Sequence, residues 1–355
     1  MTTPNAYLSA NSYLGLMPEA TRGTLNASGT PVYIPVTSPQ VTPQQKFLRD
    51  EALRGSPTMV YNQVQGVRND EYEFKSYLFA DTFPYLLTGL LGTDTATNTA
   101  GSQYKHVINL LNSVASASQP ASFSILDFDG ANGFVILGAQ QDSLDITFGA
   151  EALAEATAKF MGNPYTSYTT GTIPTPFSAT ANPSGEYPIA SWVANISIGG
   201  TASGGSVTGG TQFTYISSGE LKIERKTAPI FTMLGSSNNG PYTNFAGPIE
   251  VSGKFTGVVA TTSDPWSTGS NATALNHANV PIVISLTDPN DTAVTNSFTF
   301  QMSSAQFQNV KRTRGKEYVE VEVEFTTNAN SNDIGAGSGF SPLLATVLNG
   351  IAAAS

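Results

Sequence analysis

Residues 316–325 read KEYVEVEVEF. Val319, Val321, Val323 and Phe325 share one parity, while Tyr318, Glu320, Glu322 and Glu324 share the other. Successive side chains of an extended strand point to opposite faces, so this stretch predicts a strand with one packing face. Its other face carries three carboxylates in a row, with no base among them. DSLDITF (142–148) alternates in the same way, and further strands are predicted at YEFKSYLF (72–79), ELKIERK (220–226), PIEVSGKFTGVV (248–259), VPIVISL (280–286) and SFTFQM (297–302). FSILDFDG (123–130) and GFVILG (133–138) flank a turn and predict a hairpin. A chain punctuated in this way folds as a mainly β protein.

Composition agrees. Charged residues are only 12% of the 355 positions, whereas Gly (33) and Pro (21) supply the turns that many short strands need. The length suits one large all-β domain or two ordinary ones. A net charge of −10 argues against general affinity for nucleic acid, which needs clustered Lys and Arg. Cysteine is absent, which removes thiol catalysis, thiolate metal sites and disulfides together. The first residues show neither a basic segment nor an apolar run, so no secretory signal is predicted, and no stretch is apolar for the ~20 residues a membrane span requires.

One helix is predicted, over DTFPYLLTGLLG (81–92), with Asp81 as cap, Pro84 in the first turn and Gly92 as terminator. AEALAEATAKFM (150–161) is ambiguous. Its Ala, Leu, Glu and Lys favour helix, yet Ala152, Ala154, Ala156, Ala158 and Phe160 share a strand's parity. Residues 163–210, rich in Pro, Gly, Ser and Thr, predict a surface excursion. TTNANSNDIGAGSG (326–339) predicts a flexible linker, and SPLLATVLNGIAAA (341–354) a short C-terminal helix. The organisation expected is an N-terminal arm (1–30), a β-domain (31–327) and a linker with a helical arm (328–355).

Catalytic constellations are not found. Only His106 and His277 exist, GGSVT (204–208) misses a nucleophile elbow at its last position, and GPIEVSGKF (247–255) lacks Walker spacing. Asp127 and Asp129 in DFDGANG offer oxygens beside a turn-forming Gly130, but without a third acid or a distal Glu they predict a turn and not an ion site. DPND (288–291) is incomplete in the same way. No catalytic, metal or cofactor residue is assigned.

Several stretches, in order, resemble the tail tube (major tail) proteins of long-tailed bacteriophages: MPEATRGTLNASGTPVYIPVTS (17–38), LRDEALRGSPTMVYNQVQGVRNDEYEF (48–74), YLLTGLLG (85–92) and YKHVINLLNSVASASQPASFSI (104–125). SLDITFGAEALAEATAKFMG (143–162), SGELKIERK (218–226), GPIEVSGKFTGVV (247–259) and ATVLNG (345–350) continue the series. The resemblance implies a β-sandwich with one flanking helix, and it implies strand over the ambiguous 150–161. It further implies that six subunits form a ring with a continuous inner β-barrel, and that rings stack around a tape-measure protein, with tail-tip and terminator proteins as further partners. The tube would later conduct genomic DNA without binding it, in a virion assembled in the host cytoplasm.

That resemblance gives the carboxylate row a physical use. Duplex DNA carries one negative charge per ~1.7 Å, so a basic wall would trap it and an acidic wall lets it slide. Glu320, Glu322 and Glu324 are therefore expected to face the lumen. The alternative is a solvent-facing strand whose charges prevent edge-to-edge aggregation. The basic run KRTRGK (311–316) offers Lys311, Arg312, Arg314 and Lys316 as partners for an adjacent subunit's carboxylates. Residues 1–30, 93–103 and 328–355 are the expected ring-to-ring contacts. Rival readings are a surface adhesin or carbohydrate-binding domain, a two-acid β-sandwich hydrolase, or another phage tail or capsid part. Trp192 and Trp266 lie too far apart in sequence to suggest an aromatic sugar platform.

Overall fold

The computed structural model describes residues 8–112, 118–177, 187–213, 215–233, 239–259, 279–289, 296–314, 317–335 and 339–352. His277, Trp266 and Lys316 lie outside the described residues. The first half of the chain lays down β1 (Tyr13–Pro18), β2 (Val32–Ile34), β3 (Gln40–Asp50), β4 (Asn62–Tyr77) and the helix α1 (Phe83–Leu91). It continues through β5 (Gly92–Ala100), β6 (Gln103–Leu110), β7 (Phe123–Phe128), β8 (Asn132–Gly149), β9 (Glu155–Gly162) and β10 (Thr166–Thr169). The second half has β11 (Asn195–Ile198), β12 (Thr201–Ser203), β13 (Ser206–Thr208), β14 (Thr211–Phe213), β15 (Ile216–Glu224), β16 (Ala228–Ile230) and β17 (Thr243–Phe245). β18 (Glu250–Val258), β19 (Val280–Thr287), β20 (Ser297–Thr313), β21 (Glu320–Thr327) and β22 (Leu344–Asn349) complete it.

The longest run of paired strands is all antiparallel, in the order β3-β4-β9-β8-β15-β18-β21-β20. Two strands in it are too long for one layer. β8 has 18 residues and β20 has 17, about 60 Å each at the usual rise per residue. The first part of β8 leaves the long sheet to pair with β7 and β10, and β7 pairs in turn with β1 and β1 with β2. The first part of β20 likewise joins β19 and β22, extending through β11 and β14 on one side and β6 and β5 on the other. The layers formed in this way enclose the core.

The period-two pattern dictates which residues fill that core. Val321, Val323 and Phe325 are buried with Phe255, Leu221, Ile223, Leu144, Ile146, Ala156, Ala158 and Phe160. Phe74 stacks on Phe160 at 5.9 Å, and Phe255 tilts against Phe325 at 6.2 Å, both within the spacing at which ring pairs attract. The small residues Ala156 and Ala158 sit opposite Ser76 and Phe74 on β4, which makes room for the rings. This is why an alanine-rich segment forms a strand: its buried face is needed as filler between β4 and β8, and that tertiary demand outweighs helix propensity.

Helix α1 packs against the sheets, and Phe83 meets Phe298 edge-on at 5.3 Å. Its N-cap is Thr82 without a side-chain bond, so the expected Asp81 cap is not the one used, whereas Pro84 does fall in the first turn. Gly92 takes φ +97°, the left-handed geometry that ends a helix. The buried Arg225 guanidinium donates to the Leu90 carbonyl, to Ser118 O at 2.6 Å and to Gly247 O at 3.2 Å. A cation thereby closes the negative end of the helix, and burial pulls its pKa down to about 10.

The expected arms are largely part of the body. Residues 13–18 form β1, with Leu14, Leu16 and Met17 fully buried, and the adjacent Glu19 is locked by four donors. These are Gly23 N (2.7 Å), Ser122 Oγ (2.6 Å), Ser124 Oγ (2.8 Å) and Gly138 N (2.9 Å). The C-terminal segment is not a helix over 344–349 but strand β22, hydrogen-bonded between β20 and β6. Six residues make a poor isolated helix, while two waiting strand edges satisfy all of their backbone groups. Residues 93–103 are no loop; they form most of the β5–β6 hairpin. Within 163–210, β11 runs between β14 and β19 with Ile196 and Ile198 in the core, so the excursion is structural there. The polar segment after β21 is held by the buried Asp333, which accepts from Ser303 N (2.7 Å), Ser303 Oγ (2.6 Å), Gln301 Nε2 (2.9 Å) and Asn330 Nδ2 (2.7 Å).

Candidate functional site

The residues of β21 that alternate with the core face outward: Glu320, Glu322 and Glu324 are half-buried between fully buried neighbours. Strand register then shows what stands beside them. On β18, Lys254 is opposite Glu324, Thr256 opposite Glu322 and Val258 opposite Glu320. On β20, Asn309, Lys311 and Thr313 are opposite Glu324, Glu322 and Glu320. The row is free of bases along its own strand, but lysines flank two of its three members across the ladder.

Following the same face across the body of the long sheet gathers charges scattered from residue 71 to residue 324. Carboxylates come from Glu71 and Glu73 (β4), Glu155 (β9), Asp145 (β8), Glu220 and Glu224 (β15), Glu250 (β18) and the three of β21. Against these ten stand five lysines, Lys75, Lys159, Lys222, Lys254 and Lys311, while at the sheet's margin Asp142 joins the acids beside Glu71 and Glu73 and Lys226 pairs with Glu250 at 3.6 Å, which leaves the balance unchanged. The face is therefore acidic by five charges, half of the chain's net −10. Its ion pairs are partly exposed: Lys75–Glu155 at 3.1 Å, Lys159–Glu73 at 3.2 Å and Lys222–Glu224 at 3.4 Å. Such pairs contribute little to stability, and their effect on the field is local. Burial raises the Asp145 carboxyl pKa, with Lys222 and Lys159 opposing and Glu220 and Glu224 adding to the rise.

The basic run is divided by its strand. Lys311 is exposed on this acidic face, Arg312 has the opposite parity, and Arg314 is exposed just past the end of β20. Among the described members, Lys311 therefore stands on the opposite face of the strand from Arg312.

A second feature escaped the sequence reading. Beyond Asp70 and Gly162, where β4 leaves β9, the β3–β4 hairpin continues as an arm, met on one side by Thr232, Met233, Asn239 and Gly240, with Arg68 N donating to the Asn239 carbonyl at 2.9 Å. Phe47, Leu48 and Val64 on it are 57%, 52% and 58% exposed, more than a two-stranded ribbon in water should carry. The signal was present in the length of β4, which at 16 residues exceeds what one partner strand covers.

Asp129 accepts from Ala131 N (2.9 Å) and Asn132 N (2.6 Å), the geometry of a side chain tying its own turn. Among the described residues no group of three or more His, Asp or Glu side chains is placed to hold a metal ion. The clefts on the described surface are shallow; one of about 360 Å³ lies on the acidic face beside Glu71, Glu73 and Lys159. Among the described residues no helix is long and apolar enough to cross a membrane.

A family model described as "Phage tail tube protein" matches residues 9–327. Among solved structures, the tail tube of phage SPP1, determined by solid-state NMR and electron cryomicroscopy, is similar at 11% identity and a TM-score of 0.28, covering 45% of this chain and 80% of that one. No curated protein matches the sequence.

Proposed function

The chain belongs to the phage tail tube protein family, and on that premise we propose that its copies close into rings of six β-sandwich units whose long sheets join into one inner wall. It is a structural component of the virion tail. Stacked rings make a tube that encloses the tape-measure protein, meets tail-tip and terminator proteins at its ends, and conducts genomic DNA on ejection.

The observation that supports this reading is the acidic face of an open, all-antiparallel sheet. Among the described residues a single chain leaves both ends of the sheet unpaired, which is a liability for a solitary protein and a joint for a polymer. The outward face carries excess negative charge, so Glu320, Glu322 and Glu324 line the bore. Screening confines the repulsion to a Debye length of ~8 Å at physiological salt, enough to keep a duplex off the wall without opposing its passage. The β3–β4 arm, with its exposed Phe47, Leu48 and Val64, provides the contact between rings. The reading assigns no enzymatic role.

Electron cryomicroscopy of the purified protein tests this directly. Hollow filaments with the β21 glutamates on the bore are expected. Filaments that carry them on the outer surface, or a protein that stays monomeric at every concentration, would remove the reading.

A further inference from the structure

The two halves of the chain follow one path. In the first, β3, β4, β8 and β9 lie side by side as β3-β4-β9-β8. In the second, β15, β18, β20 and β21 lie as β15-β18-β21-β20. Both read first, second, fourth, third. The flanking layers repeat as well: β2-β1-β7-β8-β10 corresponds, strand for strand, to β14-β11-β19-β20-β22. In each half the third core strand in chain order, β8 or β20, is the long one that crosses between layers.

The irregularities match too. In β8 a bulge separates the pairs Phe123↔Ala139 and Ile125↔Ile136; in β20 one separates Val280↔Ala305 and Ile282↔Met302. A constant offset of 166 residues carries Ala139 to Ala305 and Ile136 to Met302. The same offset carries the second bulge of β8, between Gln141 and Ser143, to that of β20, between Phe307 and Asn309. It also carries Val135, opposite Thr166, to Gln301, opposite Leu344. Bulges are placed features of a sheet, and two at one offset do not arise by independent packing.

We infer that this chain is a tandem duplication of one tail-tube unit, and that the outer edge of β20 in one copy pairs with β3 of the next, so that three chains, not six, supply the six units of a ring. This rests on the ring proposed above. The internal joint between the units is β8 against β15, with Asp145 opposite Lys222 and Thr147 opposite Glu220. Among the described residues the sheet's two open edges are the later part of β20 and β3, the counterparts of β8 and β15. The chain thus carries both sides of a joint it already makes once within itself. The strand number also fits: with eight antiparallel strands, the last strand of one copy runs antiparallel to the first of an identically oriented neighbour, as rotation about a ring axis requires.

The internal register fixes the external one. An offset of 180 relates β3 to β15 through Val41 and Leu221, which face the equivalent positions Tyr72 and Gly253. Carrying the internal joint across places Lys311 opposite Thr42, and Thr313 opposite Gln40, of the neighbouring copy. Pro43 stands where β15 has Ile223, so this joint makes at most the internal ladder minus one donor. A proline there also discourages pairing with unrelated strands.

The absence of cysteine makes the test clean. Tubes carrying Lys311→Cys with Thr42→Cys are oxidised and run on a non-reducing denaturing gel. The two positions end opposite edges of an eight-stranded sheet, about 34 Å apart at the usual strand spacing, so a bond within one chain is excluded. Covalent species ending at a closed trimer are expected, with neither single variant cross-linking. Thr313→Cys with Gln40→Cys gives an independent pair with the same expectation. A ladder that runs on to six chains overturns the three-chain ring, and intact tubes that resist cross-linking by both pairs overturn the edge assignment. If the unmodified protein forms no tubes at all, it is the ring reading that fails.

Discussion

His106 Nδ1 lies 2.9 Å from Oδ2 of Asp94, and both side chains are buried. On its other side, His106 Nε2 is 3.0 Å from Asn349 Oδ1 and 2.9 Å from the Ile351 carbonyl. Asn349 is oriented by donating to Ala80 O at 2.7 Å, so its oxygen is the atom that faces the ring. Acceptors at both ring nitrogens favour the imidazolium. Burial works against the charged form, but Asp94, with Ile351 and Asn349, outweighs it, and the His106 pKa is raised. The sign follows from linkage. This stabilisation is fully present below the unfolded value of about 6.5 and is lost as pH rises through the higher folded value. The thermal midpoint of the wild type should therefore exceed that of His106→Gln most at acidic pH, and the gap should narrow on alkalinisation. A gap independent of pH would show that the contact holds without the proton.

Because β22 fills the groove between β20 and β6, with Leu343, Ala345 and Val347 fully buried, deleting residues 340–355 should abolish folding and not merely assembly. A helical arm that only contacted the next ring would instead leave, on truncation, a folded monomer that polymerises poorly. Circular dichroism and hydrogen exchange on the truncated chain distinguish the two. Native-like protection in β20 would restore the docking-arm view.

Glu19 is the anchor of the N-terminal strand, and cutting it to alanine removes the acceptor of four donors. Leaving buried donors unpaired costs about 3–5 kcal/mol in total for a carboxylate of this kind. Glu19→Ala should lower the denaturation midpoint accordingly, and Glu19→Gln, which retains one acceptor oxygen, should fall between. Equal midpoints for the alanine variant and the wild type would mean that water replaces the carboxylate.

What could be read from the sequence follows from period. Strands with one wet face, such as β21 and β18, announced themselves by alternation. β22 did not, because a strand covered on both sides reads as a short continuous apolar run that periodicity cannot separate from helix. The acidic face was legible only in its last row, since strand pairing assembles the rest from six strands. The duplication was hidden for a related reason. What the halves share is register and bulge position, while the side chains there differ: Gln141 answers to Phe307, Tyr72 to Gly253 and Val135 to Gln301.

If the bore repels DNA by its excess carboxylates, reversing the β21 row should convert a conduit into a binder. Glu320, Glu322 and Glu324 are half-buried at their bases with outward heads, so Glu→Lys at all three keeps the core face of Val321, Val323 and Phe325 unchanged. Lys254 and Lys311, now beside like charges, add to the positive field. Tubes of the triple variant should retain duplex DNA at low ionic strength, with log K falling by about 0.9 per neutralised phosphate for each tenfold rise in salt. Wild-type tubes should retain none, and Glu→Gln at the same positions should lie near the wild type, because removing repulsion alone creates no phosphate contact. Filter binding over a salt series reads all three. Salt-independent retention, or lysine tubes that bind no better than wild type, would place the β21 row away from the path of the DNA.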